Sequence, residues 1–142
     1  MSVLGLKVFD ETMQLTHTWL NVLMEKTGWD NKQRVYRLLR SVLQATRDHL
    51  SVNEAADLGA QLPMLIRGIY YEGWNPARTP VKIRSQDEFI GVIQKDFETD
   101  PMGDAEDAIG AVFALLFEKV SNDEMENVRQ TFTKEIRTLF PS

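Results

Sequence analysis

Residues 51–74, SVNEAADLGAQLPMLIRGIYYEGW, indicate the fold because their pattern returns in residues 121–140, SNDEMENVRQTFTKEIRTLF. Both runs open with Ser-x-x-Glu, in which the serine side chain caps a helix and the glutamate bonds back to the serine amide. Ser51 and Glu54 lie 70 residues before their counterparts. Two such capping boxes predict that each run begins with a helix and that one helical unit occurs twice.

The repeat extends outward from these runs without a gap. Residues 16–71 align with residues 86–141, and apolar positions fall on apolar positions, such as Trp19 on Phe89, Val42 on Val112 and Leu62 on Phe132. The sequence therefore predicts an all-α protein of six to eight helices. We expect a single domain over residues 1–142, with repeat one at about 16–71, a connector at 73–84 and repeat two at about 86–141, packed as one helical-bundle globule.

Stop and start signals place the first helices. A helix over residues 9–27 should end at Gly28, which readily adopts the left-handed conformation of a helix end. Asp30 is then positioned to cap a second helix. In the second copy the equivalent start is Asp100 followed by Pro101, an N-cap residue with proline at the first helical position.

The ends of the two copies differ at one position. Pro63 should break the first copy and begin a short fourth helix, whereas Thr133 in the second copy predicts that the last two segments fuse. Arg67 and Arg137 recur late in their copies. We expect each arginine to form a structural salt bridge with the capping-box glutamate of its own copy.

Composition excludes several classes of site. The chain has no cysteine, so it cannot form a disulfide, a zinc–thiolate site or a thiol nucleophile. The N-terminus lacks the pattern of a secretory signal, and the longest apolar run, residues 108–117, is too short to span a bilayer. These features predict a cytoplasmic protein with no transmembrane segment.

Charge is divided unequally between the copies. Residues 16–71 carry a net charge of +2 and residues 86–141 a net charge of −8, while the remaining residues add +1 to give the total of −5. This polarity favours contact between oppositely charged protein surfaces, and the net negative charge makes nucleic-acid binding unlikely.

The helix predicted over residues 31–49 has apolar residues along one arc and arginines opposite them. Those arginines are Arg34, Arg37, Arg40 and Arg47. Such a face is either an ordinary solvated surface or a strip that binds an acidic partner, since guanidinium groups pair well with carboxylate and phosphate. Self-association through the acidic surface of another copy is a third possibility.

In the equivalent helix over residues 101–119, small and apolar residues replace the basic face. Arg40 is replaced by Gly110, and Ala114 takes the place of a glutamine. A helix that is apolar nearly all round must be covered on both sides. We therefore expect it to be the central helix of the fold or the surface of a homodimer.

Trp74 lies in the connector, whose proline residues favour a stiff, partly extended path. One interpretation is that the indole pins the connector to the core. The other is that Trp74 is an exposed anchor for a partner, because tryptophan is common at interfaces.

The sequence contains no recognisable catalytic, metal or cofactor motif. His49 falls at a predicted helix C-terminus, where a cation is favoured, and His17 lacks the spacing of a zinc or di-metal site. The acidic run 98–107 lacks the pattern of a calcium loop. We therefore predict no catalytic residue, no bound metal and no cofactor.

Residues 56–76, followed by KIRSQDEF at 82–89 and EIRTLF at 135–140, resemble the bacterial family known as domain of unknown function 2267. The most specific parts are Gln61-Leu62-Pro63, Arg67 and the run 71–74. The resemblance covers nearly the whole chain and implies a small, all-helical protein with a duplicated unit. It implies no activity.

The function favoured by the sequence is a non-enzymatic protein–protein interaction or adaptor module that uses the basic helix face. Its candidate partner-binding residues are Arg34, Arg37, Arg40, Arg47 and Trp74. The partner would be an acidic protein or a second copy of the chain. The alternative is a small-molecule-binding protein or an unrecognised enzyme with a pocket between the two repeats.

Overall fold

The computed structural model describes residues 5–142, and this part of the chain contains eight α-helices and no strand. The helices are α1 (Lys7–Thr27), α2 (Lys32–His49), α3 (Val52–Ala60), α4 (Met64–Tyr71), α5 (Gln86–Gln94), α6 (Ala105–Lys119), α7 (Asn122–Gln130) and α8 (Lys134–Arg137). The predicted all-α class is therefore confirmed, at the upper end of the predicted helix number. None of the described helices combines the length and the apolar character needed to cross a membrane.

The predicted stop of the first helix is found. Gly28 ends α1 in the left-handed conformation, with φ at 74°, and its amide donates to the Met24 carbonyl at 2.9 Å. The predicted cap of α2 was wrong by one residue, because the Asn31 side chain rather than that of Asp30 accepts the Arg34 amide. Asp and Asn cap helices equally well, so adjacent cap-forming residues cannot be told apart by type.

The predicted start of the second-copy helix at Asp100 and Pro101 was also wrong. Asp104 caps α6 and accepts the Asp107 amide at 3.0 Å. The intervening loop instead turns inward and buries Met102 in the core. A loop with several aspartates offers several possible caps, and the apolar side chain that must be buried selects among them.

Several boundaries recur at the predicted offset. Helices α3 and α7 begin and end 70 residues apart, α4 and α8 begin 70 apart, and α2 and α6 end 70 apart. The first helices differ, since α1 has 21 residues and α5 has nine. The equivalence of the two halves as a repeated unit remains a prediction.

Arg67 and Arg137 each hold the turn that precedes their own helix. Arg67 donates to three carbonyls of the α3–α4 turn, including that of Leu62 at 2.8 Å. Arg137 donates to the carbonyls of Phe132 at 2.8 Å and Gln130 at 3.1 Å. The expected salt bridges with the capping-box glutamates were therefore wrong. Bonding the turn carbonyls also keeps α7 and α8 separate, which corrects the predicted fusion at Thr133.

Helix α6 occupies a central position and packs against α1, α2, α5 and α7. The C-terminal segment also comes close to α6, because a side chain at Gly110 would meet the Leu139 carbonyl oxygen at 3.2 Å. Gly110 and Ala114 themselves are only half-buried. The C-terminal segment thus approaches the face of α6 that carries Gly110 and Ala114, but it leaves these two residues partly exposed.

The connector is bonded to the end of α2. The Val81 amide donates to the Asp48 carbonyl at 2.7 Å, and the Ile83 amide donates to His49 Nδ1 at 3.3 Å. A single 3-10 turn, Pro76–Arg78, lies upstream, and the peptide bond before Pro80 is cis. These bonds hold the path between the first four helices and the last four against the body of the protein.

Candidate functional site

Arg34 and Arg37 bind the loop before α6 and do not point freely into solvent. Arg34 Nε lies 3.1 Å from Asp100 Oδ2, and Arg34 Nη2 donates to the Pro101 carbonyl at 2.6 Å. Arg37 Nη1 lies 3.4 Å from the same Asp100 oxygen. The Arg34 guanidinium also sits 3.6 Å from the ring centre of Trp29, a cation–π contact. Both arginines therefore join the first half of the chain to the second.

Arg47 is buried, and Arg40 is half-buried. The Arg47 side chain is 5% exposed, and its Nη1 donates to the carbonyls of Tyr70 at 2.8 Å and Glu72 at 2.9 Å. Arg40 covers the Tyr36 ring and forms no ion pair within residues 5–142. The prediction of a solvated arginine face was therefore wrong for Arg47, and the four arginines do not form a continuous exposed strip. A helical wheel shows which residues share one face of a helix, but it does not show which distant segment of the chain covers that face.

Trp74 packs on the protein as a half-buried side chain. Its ring lies 5.3 Å from that of Tyr71, and its indole nitrogen is buried without a hydrogen-bond acceptor in the described residues. Tyr71 in turn packs tightly over Gly59 of α3. This arrangement fits the interpretation in which Trp74 pins the connector, and it leaves only part of the ring available to a partner.

Gly59 should not tolerate a side chain. Alanine normally stabilises a helix by about 1 kcal/mol relative to glycine, but here the new methyl group would overlap the Tyr71 ring and its hydroxyl. We expect Gly59→Ala to destabilise the protein by about 1–2 kcal/mol and to lower Tm by about 5 °C. Thermal unfolding followed by circular dichroism measures this. Gly68→Ala is the matched control, because nothing lies within 4 Å of its added methyl group; equal effects of the two changes would contradict the packing argument.

A cleft of about 470 Å³ opens where the end of α1 crosses α6, and we call it the α1/α6 cleft. It is lined by Lys26, Thr27, Trp29, Met102, Asp104, Asp107, Ala108, Gly110, Ala111 and Ala114. The small residues of α6 form its floor, and Trp29 and Met102 contribute apolar walls. Its volume lies within the range of about 300–1,000 Å³ that is usual for ligand sites.

The charged groups of the cleft are predominantly acidic. Lys26 Nζ lies 2.5 Å from Glu118 Oε1, so its charge is already matched. Asp104 uses one carboxylate oxygen to cap α6, and the Asp107 carboxylate is exposed. Neither aspartate forms an ion pair within residues 5–142. The cleft therefore offers two uncompensated carboxylates beside a floor of small apolar groups.

A second concave region, the α3/α7 groove, is lined by Glu54, Asp57, Lys82, Glu124, Asn127, Val128, Gln130 and Thr131 and encloses about 410 Å³. Its two glutamates have different surroundings. Glu54 completes a capping box by accepting the Ser51 amide at 2.9 Å. In the second copy the Ser121 amide donates instead to Gln61 Oε1. The predicted second capping box is therefore incomplete, and the Glu124 carboxylate remains in the groove.

The pKa of Glu124 is raised by burial and by the negative charges of Asp57 and Glu54. The ionised form is thus disfavoured in the folded state, so this group weakens the fold above its unfolded pKa and ceases to do so as the pH falls below that value. We expect Glu124→Gln to raise Tm at neutral pH by about 1–2 °C, since partly exposed charges contribute less than about 1 kcal/mol. The gain should vanish near pH 4.

Glu126→Gln provides the comparison for that change, because Glu126 lies 3.4 Å from Arg129 and has an oppositely charged partner. Thermal unfolding at both pH values should show no gain for this variant. A Glu124→Gln protein that is less stable than wild type at neutral pH would contradict the argument.

His49 is a neutral side chain that bonds to Thr131 of the groove lining. Its Nδ1 accepts the Ile83 amide, so its Nε2 carries the proton and donates to the Thr131 carbonyl at 3.0 Å. The ring stacks on Phe132 with centres 4.0 Å apart. Burial lowers its pKa, with the nearby Lys82 acting in the same direction. The cationic role expected at the end of α2 was wrong, since the imidazole bridges the connector and α7 instead.

His17 has no catalytic surroundings in the described residues. It is exposed on α1, and its nearest polar neighbour is Lys32, whose Nζ lies 3.4 Å from His17 Nδ1. Between residues 5 and 142, no three histidine or carboxylate side chains are close enough together to hold a metal ion. The candidate sites are therefore the two concave regions and not His17.

The chain matches the family described as "Uncharacterized conserved protein (DUF2267)" over residues 16–139. The match spans nearly the whole chain, so the protein belongs to this family and the resemblance seen in the sequence is confirmed. No curated protein matches it. The family description carries no activity, and the geometry of the clefts is the basis for a functional proposal.

Proposed function

We propose that this chain is a non-enzymatic protein-interaction module that binds a basic segment of a partner in the α1/α6 cleft. The class of function is the one that the sequence favoured, but the binding surface and the sign of the partner's charge are different. The observation that carries the proposal is that the cleft combines an open floor of small residues with carboxylates that have no internal cation.

The distribution of free charge supports a basic partner. Arg34, Arg37 and Arg47 are engaged with acceptors of the protein itself, so they contribute little to an exposed positive surface. The second half of the chain carries a net charge of −8, and Asp104 and Asp107 of that half line the cleft. Lysine or arginine side chains of a partner would supply the missing positive charge.

The shape of the cleft supports a peptide segment as the ligand. Its α6 side extends from Asp104 to Ala114, a length of roughly 15 Å along the helix at 1.5 Å per residue. This length accommodates four or five extended residues at about 3.3 Å each. Gly110 and Ala114, beside Lys26 and Thr27 at the end of α1, leave room for an apolar side chain.

Selection of random displayed peptides on the purified protein at low salt tests the proposal. We expect enrichment of peptides that combine Lys or Arg with one or two apolar residues. Ala114→Leu, which fills the floor, should weaken binding of the selected peptides at least about tenfold, a loss of about 1.4 kcal/mol. Asp107→Asn should weaken binding and reduce its dependence on salt.

Ala56→Leu is the matched control, because Ala56 is exposed on α3 and lies outside the cleft. It should leave peptide binding unchanged. Enrichment of acidic peptides would contradict the proposal, and so would equal affinities for the wild type and the Ala114→Leu protein.

A further inference from the structure

Helix α1 carries a packing seam that is twice as long as the part covered by its own protein. Residues along one face recur at alternating spacings of three and four, which is the pattern of a helix that packs lengthwise against another helix. The seam consists of Phe9, Met13, Thr16, Leu20, Leu23 and Thr27, and Leu6 precedes it as the extended N-cap residue. Thr16, Leu20 and Leu23 are buried in the core, whereas Leu6, Phe9 and Met13 are 49%, 44% and 48% exposed.

The seam becomes exposed where the body of the protein ends. The hydrogen bond from the Leu65 amide to Thr12 Oγ1, at 2.9 Å, joins α4 to this part of α1. Residues 5–9 and Glu11 are exposed and Asp10 is half-buried, and the match to the family begins only at Thr16. The first two turns of α1 therefore present the exposed apolar side chains of Phe9 and Met13, outside the part of the chain that matches the family.

The exposed area is large enough for a contact between two copies. Met64 and Leu65 of α4, 54% and 43% exposed, lie beside this part of α1, where the Leu65 amide donates to Thr12 Oγ1. At roughly 90 Å² for each half-exposed side chain, these two residues together with Leu6, Phe9 and Met13 amount, in both copies, to roughly 900 Å² of apolar surface. With the polar atoms at its edge, this reaches the approximately 1,000 Å² that a specific interface requires.

We infer that the exposed seam pairs antiparallel with the same segment of a second copy, which places Phe9 of each copy against Met13 of the other. The apolar stripes of two copies can cover each other when the copies are related by a twofold axis, which is the commonest symmetry of soluble oligomers. Parallel pairing is blocked, because the partner helix would continue into the space that the body occupies against Thr16 and Leu20. Antiparallel pairing places the two bodies at opposite ends. This surface is separate from the α1/α6 cleft, so the two proposals can fail independently.

Light scattering of the purified chain as a function of concentration tests the pairing. We expect the mass to rise from 16.3 kDa toward twice that value. The double change Phe9→Glu and Met13→Glu should keep the mass at that of one chain while leaving the helical circular dichroism unchanged. Val92→Glu on α5, at an equally exposed apolar position, should associate like the wild type. A wild type that stays monomeric at every soluble concentration would overturn the inference.

Cross-linking determines the direction of pairing, and the chain is suited to it because it contains no cysteine. A Phe9→Cys protein mixed with a Met13→Cys protein should form a disulfide dimer at least several-fold faster than either protein alone. Antiparallel pairing brings those two positions within the distance that a disulfide spans. The inference is overturned if Phe9→Cys alone reacts fastest, or if the mixture reacts no faster than a Val92→Cys protein.

Discussion

Replacing Arg47 with methionine is expected to lower the free energy of unfolding by about 3 kcal/mol and Tm by about 10 °C. Methionine retains the apolar stem of the side chain but removes the guanidinium group. The carbonyls of Tyr70 and Glu72 would then be left at the end of α4 without their donor. A buried acceptor without a partner costs about 1–3 kcal/mol. Urea unfolding at neutral pH measures the loss.

Arg40→Met is the matched control for that experiment. Arg40 lies on the same helix and covers the Tyr36 ring, but it donates to no carbonyl or carboxylate of residues 5–142. Its replacement should cost less than about 1 kcal/mol. If Arg47→Met and Arg40→Met lower the free energy of unfolding equally, then the hydrogen bonds of Arg47 do not hold α4 in place. The burial of Arg47 would then have no structural importance.

Replacing His49 with phenylalanine should cost about 2–3 kcal/mol near neutral pH and should flatten the dependence of stability on pH. Phenylalanine preserves the stack on Phe132. It leaves the Ile83 amide without its acceptor and the Thr131 carbonyl without its donor. The change therefore separates the hydrogen bonds that join the two halves from the packing around them.

The sign of the pH effect follows from the lowered pKa of His49. The unfolded chain takes up a proton near pH 6.5, whereas the folded protein resists protonation until a lower pH. Stability contributed by the neutral imidazole is thus complete above pH 6.5 and is lost as the pH falls below it. Lys82 strengthens this resistance and Glu54 weakens it.

Thermal unfolding between about pH 7.5 and about pH 5.5 checks this prediction. Wild type should lose more stability over this interval than the His49→Phe variant. His17→Gln, which changes the exposed histidine, should keep the wild-type stability at neutral pH. A variant and a wild type with parallel pH profiles would show that His49 is not the group that titrates.

Local signals predicted the helices well where one residue type determines the end. Gly28 ended α1 as expected because few other residues adopt its left-handed conformation. Ser51 likewise began α3 with a complete capping box. Prediction failed at Asp30 and Asp100 because neighbouring residues could cap equally well. Packing against residues that are distant in the sequence decided those boundaries, and a local sequence pattern carries no information about that packing.

The candidate sites were less predictable than the helices. The sequence showed that the arginines share one face of α2, but Arg34 and Arg37 are held by Asp100, which lies more than 60 residues away. The α1/α6 cleft depends on how the end of α1 crosses the small-residue face of α6. That crossing is set by the packing of several helices together. The spacing of the α1 seam was recognised only once the structure showed that Phe9 and Met13 are exposed while Thr16, Leu20 and Leu23 are buried.

The most direct test of the proposed binding module is a titration of isotope-labelled protein with a selected basic peptide, followed by amide chemical shifts. We expect the largest shifts at Trp29, Asp107, Gly110 and Ala114, and we expect them to disappear in the Ala114→Leu protein. Shifts centred on the exposed side of α2 or on the α3/α7 groove would contradict it, because the peptide would then bind outside the α1/α6 cleft.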